Sequence, residues 1–340
     1  MKKIKAKIIA LICTFLLIFV YCVLTKVRYH SVEDFHVTYP LRLDVRKSVS
    51  QLEADQEPEL KPINNFNFTY KLNPTCHTKQ STMTLIVKSS TVNFFKRQAI
   101  RETWGNETIV YKGNTQLRTL FMLGNSGDAE LEAKLKIESN HYNDIIQCDF
   151  LDTYYNNTIK TMMAMKYALQ NCHYNSYFVF VDDDFFISIA NLLRFLESPL
   201  SYPKNTTSSD LSYLQNSGFL YAGHAYFGPV PYRAKENKWY VSEEEYPYYN
   251  YPDFVAGGTL ILNRSALRRI YFTSLYVQSF RLDDVYIGMA AAKANITPIH
   301  SEEFYMRKKE FEGYDSYKDV ISSHGFKDSD DMVNTWRSLR

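Results

Sequence analysis

Between residues 84 and 197 the chain alternates four times between short apolar runs and longer helix-patterned ones, and this alternation constrains its fold more than any other feature. TLIVKSS (84–90) precedes FKRQAIRETW, LRTLFMLG (117–124) precedes DAELEAKLKIES, DIIQCDF precedes TIKTMMAMKYALQ, and YFVFV precedes ISIANLLRFLE. Short runs rich in β-branched and aromatic residues read as buried strands, and the segments between them carry helical spacing. Repeated βα units predict an α/β domain with a mostly parallel, doubly wound sheet flanked by helices. Ligands bind such sheets beyond the carboxyl ends of the strands. After Lys204 the pattern is less regular. FLYAGHAYF and KWYV read as strands, Gly257-Gly258 as a turn, and SALRRIYF and DDVYIGMAAAKA as helices.

The fourth strand runs into three carboxylates, in FVFVDDDFFI, where Asp182, Asp183 and Asp184 interrupt otherwise apolar sequence. A charge run usually marks a solvated loop, because aspartate is rarely buried. Here the apolar flanks argue otherwise. An unpaired buried charge is so costly that it either neutralises or finds a cation, so the triplet implies a metal ion or a positively charged ligand.

At the amino terminus Lys2, Lys3, Lys5 and Lys7 precede an uninterrupted apolar run over residues 8–24, closed by Lys26 and Arg28. The run lacks a small-x-small cleavage site, which favours a retained signal anchor at 8–25, with residues 1–7 cytosolic and the remainder luminal. Its shortness suits the thinner membranes of the early secretory pathway. Residues 26–75, which include QLEADQEPELKP, read as a polar stem, and 76–340 as the folded domain. Cys76, Cys148 and Cys172 lie outside the anchor, enough for one disulfide and a spare thiol, with the pairing open. Asn67, Asn106, Asn156, Asn205, Asn263 and Asn295 each begin an Asn-x-Ser/Thr triplet, which fits luminal exposure. A formal net charge of +2 and the lack of a basic, aromatic-interleaved stripe argue against nucleic acid as a partner. No Gly-x-Gly-x-x-Gly follows any strand, which disfavours a dehydrogenase.

Several motifs occur in one order: RQAIRETWG (97–105), FMLG from Phe121, YNDIIQCDFLDTYYNNTIKT (142–161), VDDDFFI, KWYVSEEEYP from Lys238, YPDFVAGGTLIL from Tyr251, LDDVYIG from Leu282, and a late His324. Together they resemble the β1,3-galactosyltransferases and β1,3-N-acetylglucosaminyltransferases of glycosyltransferase family 31, over nearly the whole region after the stem. The resemblance implies a GT-A-like fold and a single-pass type II protein of the Golgi membrane. It also implies an inverting enzyme that moves galactose or N-acetylglucosamine from a UDP-sugar to a 3-hydroxyl of a glycan acceptor on a glycoprotein or glycolipid.

The same resemblance assigns roles. Asp182, Asp184 and His324 would hold a divalent ion, with Asp182 alternatively facing the donor ribose. Oxygen ligands suit Mn²⁺ or Mg²⁺, and the imidazole tilts the choice to Mn²⁺. Asp182, Asp183, Arg97, Arg101 and Lys160 would meet the UDP-sugar. Arg97 and Arg101 lie four apart and share a helix face, where structural ion pairing is the competing reading. Asp284 would be the catalytic base, with Asp283 at the family's Glu position. A carboxylate with a reference pKa of about 3.9 is already ionised at luminal pH. The competing reading is an acidic first helical turn. Trp239, Tyr240, Tyr246 and Tyr251 read as an aromatic wall or as core, and Met162, Met163 and Met165 as helix core. Ala256 replaces the family's Ser before the glycine pair. Two other functions compete: a catalytically silent luminal carbohydrate-binding protein or partner of another glycosyltransferase, and a glycoside hydrolase with two carboxylates and no metal.

Overall fold

The four apolar runs form adjacent strands. The computed structural model describes residues 14–17, 44–76, 81–109, 111, 116–203 and 218–339. In chain order the strands are β1 (Tyr70–Leu72), β2 (Ser81–Lys88), β3 (Gln116–Asn125), β4 (Ile145–Leu151), β5 (Tyr177–Asp182), β6 (Phe185–Ile187), β7 (Tyr221–Tyr226), β8 (Phe254–Asn263), β9 (Ile299–His300), β10 (Phe304–Tyr305) and β11 (Ser322–His324). The main sheet has the order β1-β4-β3-β2-β5-β8-β7-β9, and β10-β11-β6 form a small second sheet. β4, β3, β2 and β5 are parallel, as the βα repeats predict. Beyond β5 the order departs from the doubly wound expectation, because β8 runs antiparallel to both β5 and β7.

The helices include α1 (Arg46–Glu53), α2 (Phe94–Glu102), α3 (Ala129–Tyr142), α4 (Asn157–Asn171), α5 (Ile189–Glu197), α6 (Arg264–Ser274), α7 (Asp283–Lys293), α8 (Tyr314–Tyr317) and α9 (Ser329–Ser338). Successive strand residues point to opposite faces, so one sheet builds two cores. Met83, Leu85, Val87, Val179 and Val181 pack with Ala99, Ile100 and Leu135 of α2 and α3. Ile86, Phe178 and Phe180 pack with Met162, Leu267 and Ala290 of α4, α6 and α7 on the other face. The three methionines are therefore core, as their spacing suggests.

This winding has a functional consequence. From β2 the chain steps outward through β3 to β4 and then returns across the other face to enter β5 on the far side of β2. The strand order reverses between β2 and β5, and their carboxyl ends frame the crevice where open α/β sheets bind ligands. The register pairs Lys88 with Asp182 at that edge.

Three readings are corrected. Gly257 and Gly258 lie inside β8 instead of forming a turn. A Cβ on Gly258 would stand 2.1 Å from Phe185 Cζ, so the residue is small because a ring packs on its backbone. KWYV forms no strand, only an isolated bridge between Tyr232 and Tyr240. The folded domain begins upstream of Cys76. α1 packs on α6 with Glu53 bonding Arg269 at 2.6 Å, and β1 pairs with β4, so the later part of the expected stem belongs to the core. Among the described residues no helix is long and apolar enough to cross a membrane. Of the expected anchor at 8–25 only residues 14–17 are described, as helix, and the rest lies outside the described residues.

Cys76 pairs with Cys172, tying the approach to β2 to the end of α4, and Cys148 is a buried free thiol. Among the Asn-x-Ser/Thr triplets, Asn67 and Asn295 are exposed, whereas the Asn263 side chain caps α6 and donates to the Gly218 carbonyl.

Candidate active site

The aspartate triplet forms the turn that carries the chain from β5 in the main sheet to β6 in the small one. Its three side chains therefore point to three different places. Asp182 turns to β2, where Lys88 Nζ lies 3.0 Å from its Oδ1. Asp183 is buried and turns inward, accepting from Ser89 Oγ at 2.7 Å, Asn93 Nδ2 at 2.8 Å and Lys96 Nζ at 3.1 Å. Asp184 turns toward β11, with its Oδ2 3.3 Å from His324 Nε2.

The antiparallel pairing of β6 and β11 places His324 opposite Phe185, whose ring lies 4.8 Å from the imidazole. His324 Nδ1 donates to the Met306 carbonyl at 3.3 Å, which leaves Nε2 as the nitrogen facing Asp184. Metal-binding histidines are commonly oriented by such a bond from the far nitrogen. The hydrogen bond to Asp184 raises the imidazole above its ordinary value. Burial would raise Asp184 in turn, but His324 overrules it and holds the carboxyl below the usual range. A carboxylate and an imidazole nitrogen brought together this way are a donor set that fits a divalent ion. Asp182 is committed to Lys88, which separates it from the other two expected ligands.

Lys88 links the triplet to the second acidic pair. Its buried ammonium also lies 2.9 Å from Asp283 Oδ2 and donates to the Gly257 carbonyl at 3.0 Å. Burial alone would lower a lysine, but Asp182 and Asp283 outweigh it and hold Lys88 charged. Asp283 also accepts from Thr161 Oγ1 at 2.8 Å, and Lys88 holds it below the usual carboxylate range despite its burial.

Asp284, in the first turn of α7, has no such cation. Its Oδ1 accepts the Val285 N–H at 2.8 Å and its Oδ2 faces the Gly257 N–H at 3.4 Å. Burial, followed by the charge of Asp283, pushes Asp284 up to about 7. The expectation of an ordinary carboxylate pKa is thus corrected, in the direction that makes a carboxylate a stronger base near neutrality. A Cβ on Gly257 would stand 3.3 Å from Asp284 Cβ, so this glycine lets β8 approach α7 closely.

The other expected donor contacts lie behind this edge. Arg97 is fully buried. It binds Glu138 through two bonds of 2.8 and 2.7 Å and donates to Ser89 Oγ and the Ser90 carbonyl. Arg101 pairs with Asp144 and Glu138 and lies 3.9 Å from the Tyr142 ring centroid. Lys160 pairs with Asp152 and donates to the Ser89 carbonyl, both at 2.7 Å. The ion-pairing reading therefore describes the present contacts of both arginines. Arg97 and Lys160 grip the segment after β2, and that segment supplies Ser89 to Asp183. Sequence reasoning missed Lys88, Ser89, Asn93, Lys96 and Thr161. Lys88 alone carried a signal, a charge closing an apolar strand, like that of the triplet.

Among the described residues a second group of possible metal ligands, His224, His300 and Glu302, gathers at β7 and β9. His300 Nδ1 accepts the Ala225 N–H at 3.0 Å, so Nε2 carries the proton and donates to Glu302 at 3.0 Å. His224 bonds separately, through Nδ1 to the Phe304 carbonyl at 3.1 Å.

The acidic turn lies at the switch point of an α/β sheet, where such sheets bind ligands, and an imidazole and a separate carboxylate without a cation partner among the described residues face the same edge. The family described as Galactosyltransferase matches residues 95–302. The chain is 34% identical over 333 residues, 97% of its own length and 94% of the other's, to a protein of Drosophila melanogaster named beta-1,3-galactosyltransferase brn. It is 34% identical to the lactosylceramide 1,3-N-acetyl-beta-D-glucosaminyltransferase B of Danio rerio, covering 81% of this chain and 70% of that one. It is 32% identical to beta-1,3-galactosyltransferase 1 of Mus musculus, covering 82% and 81%. The chain belongs to this galactosyltransferase family and is a glycosyltransferase.

Proposed function

We propose that the protein is an inverting hexosyltransferase. It moves galactose or N-acetylglucosamine from a UDP-sugar to a 3-hydroxyl of an acceptor glycan in β1,3 linkage. Asp284 carries this reading. It is the one carboxylate of the edge without a cation partner among the described residues, it sits at a helix amino terminus, and its pKa is raised toward neutrality. The names of the relatives support both donor sugars.

Direct displacement needs one base and one stabilised leaving group. Asp284 takes the proton of the acceptor hydroxyl as that oxygen bonds to the anomeric carbon, while the bond from this carbon to the diphosphate oxygen breaks on the opposite face. Asp184 and His324 would hold Mn²⁺, or Mg²⁺ as the alternative, and Asp182 would join them once turned from Lys88. Such an ion supplies charge neutralisation for the departing UDP. Asp183 holds the turn in place through Ser89, Asn93 and Lys96. Lys88 keeps Asp283 ionised, and that charge keeps Asp284 basic.

The lysine-led apolar run at residues 8–24 supports residence as a type II protein of the Golgi membrane with the enzyme domain in the lumen. The test is UDP release by the purified protein with a panel of UDP-sugars and acceptor glycans, in Mn²⁺ and in a chelator. Chelator-sensitive release from one donor supports the proposal. Equal release in both sinks the metal assignment, and silence with every donor favours the non-catalytic reading.

A further inference from the structure

The residues expected as an aromatic wall separate in the structure. Tyr246 and Tyr251 are buried, with ring centroids 4.7 Å apart, and they pack on Phe280. Trp239 is exposed instead, its ring centroid 5.8 Å from that of Tyr232. Tyr232 ends a strip that starts where β7 stops. Tyr226, Phe227, Val230, Tyr232 and Trp239 are each between 40% and 60% exposed. A run of large apolar side chains left at the surface together marks a binding face more often than chance.

Two observations place this strip beside the transfer site. At its near end Tyr226 pairs with Phe254 of β8, ring centroids 5.4 Å apart, and Phe254 packs on Gly288 of α7, the helix whose first turn carries Asp284. The Tyr251 ring lies 6.4 Å from the same Phe254, and its buried hydroxyl has no hydrogen-bond partner among the described residues. At its far end Lys238 Nζ stands 4.4 Å from the ring centroid of Tyr154, which follows the carboxyl end of β4. The strip therefore runs along the edge that carries the aspartate turn.

The strip is also rigidly backed. Arg233 donates to four carbonyls, those of Val241, Ser242, Tyr246 and Tyr248, at 2.7–3.0 Å. Gly228 N–H bonds Asp253 Oδ1 at 2.7 Å, Tyr251 N–H bonds the Pro229 carbonyl at 2.8 Å, and Val241 N–H bonds the Tyr232 carbonyl at 2.9 Å. Rigid aromatic side chains held ready before binding lose little freedom when a ligand arrives.

We infer that this strip is a subsite for the acceptor glycan beyond the sugar that reacts, with Tyr232 and Trp239 stacking against the apolar face of a second or third pyranose. This rests on the transferase reading for what lies at Asp284. The occupant is neutral carbohydrate, because the strip's exposed surface is mostly aromatic, Arg233 is turned inward onto backbone carbonyls, and Lys238 is turned onto the Tyr154 and Trp239 rings. Contact with remote sugars lets binding energy position the reacting hydroxyl, so the enzyme favours longer acceptors.

The test measures binding first. Mono-, di- and trisaccharide glycosides with one common aglycone are titrated calorimetrically into the wild-type protein and the Trp239→Ala, Tyr232→Ala and Trp239→Phe variants. Tyr174→Ala, an exposed tyrosine preceding the start of β5, serves as the control. Affinity is expected to rise with length in the wild type and in Tyr174→Ala. Trp239→Ala and Tyr232→Ala should lose about tenfold more for the trisaccharide than for the monosaccharide, and Trp239→Phe should recover part of the loss. No length dependence in the wild type overturns the subsite, as does an equal loss at every length. Losses seen only with lipid-linked acceptors in vesicles would instead make the strip a membrane contact and also overturn it. Length-dependent binding without UDP release from any donor leaves the subsite standing and sinks the transferase reading alone.

Discussion

The ammonium of Lys88 lies 2.9 Å from Asp283 Oδ2, and both side chains are largely buried. Because the same nitrogen lies 3.0 Å from Asp182, one cation serves acids from two segments about a hundred residues apart in sequence. Lys88→Met leaves both carboxylates without their cation. Removing one member of a buried ion pair costs roughly 3–5 kcal/mol. Chemical denaturation should show a loss of that order, together with loss of transfer, and a variant as stable as the wild type would contradict the linkage.

Asp284→Asn separates chemistry from folding. Transfer should fall by roughly 10²–10⁴, while binding of the UDP-sugar is retained. Stability should move the other way. The folded state raises this carboxyl to about 7 from 3.8, so it binds the extra proton only in the folded protein between those values. That contribution to stability is complete below pH 3.8 and is lost as pH rises through 7. At neutral pH the neutral amide removes the penalty, so Tm should increase, by roughly 2–4 °C for each kcal/mol relieved. Near-normal transfer by this variant would assign the base elsewhere.

The same shift sets a pH profile. kcat/KM should rise with pH through about 7 as Asp284 ionises in the free enzyme. The charge of Asp283 is the second cause of the shift, so Asp283→Asn should move the rising limb to lower pH. A limb that stays in place in that variant refutes the coupling.

Asp184→Ala and His324→Ala remove the two side chains that meet at 3.3 Å. Each should abolish the Mn²⁺ dependence of UDP-sugar binding, measured by calorimetry with and without chelator. Asp183→Ala should act differently, because its side chain is bonded inward to Ser89, Asn93 and Lys96. It should lower stability as well as donor binding.

Arg97→Ala distinguishes a structural arginine from a donor contact. It leaves Glu138 without one of its two guanidinium partners and frees the Ser90 carbonyl. The denaturation midpoint should fall markedly, whereas KM for the UDP-sugar should change by less than about tenfold in the fraction that remains folded. A large KM increase at unchanged stability would restore Arg97 to the donor site.

By itself the sequence determined what depends on neighbouring residues and spacing. The alternation over 84–197 yields β2 to β5 with their helices, because strand and helix periods are local properties that burial then selects. The motif order carried the family, and the charge of the triplet within an apolar run singled out the strand end that holds the candidate site. Tertiary structure decided the rest. The triplet's carboxylates point three ways because the chain changes sheets at that turn, and no local pattern records where β6 and β11 meet. Arg97 and Lys160 face inward because Glu138 and Asp152 arrive from other elements. The disulfide pair, the antiparallel β8 and the close approach of Gly257 to Asp284 likewise depend on contacts between distant segments. The pKa of Asp284 follows the same rule, since burial and neighbouring charge, both products of packing, move it away from the value its residue type implies.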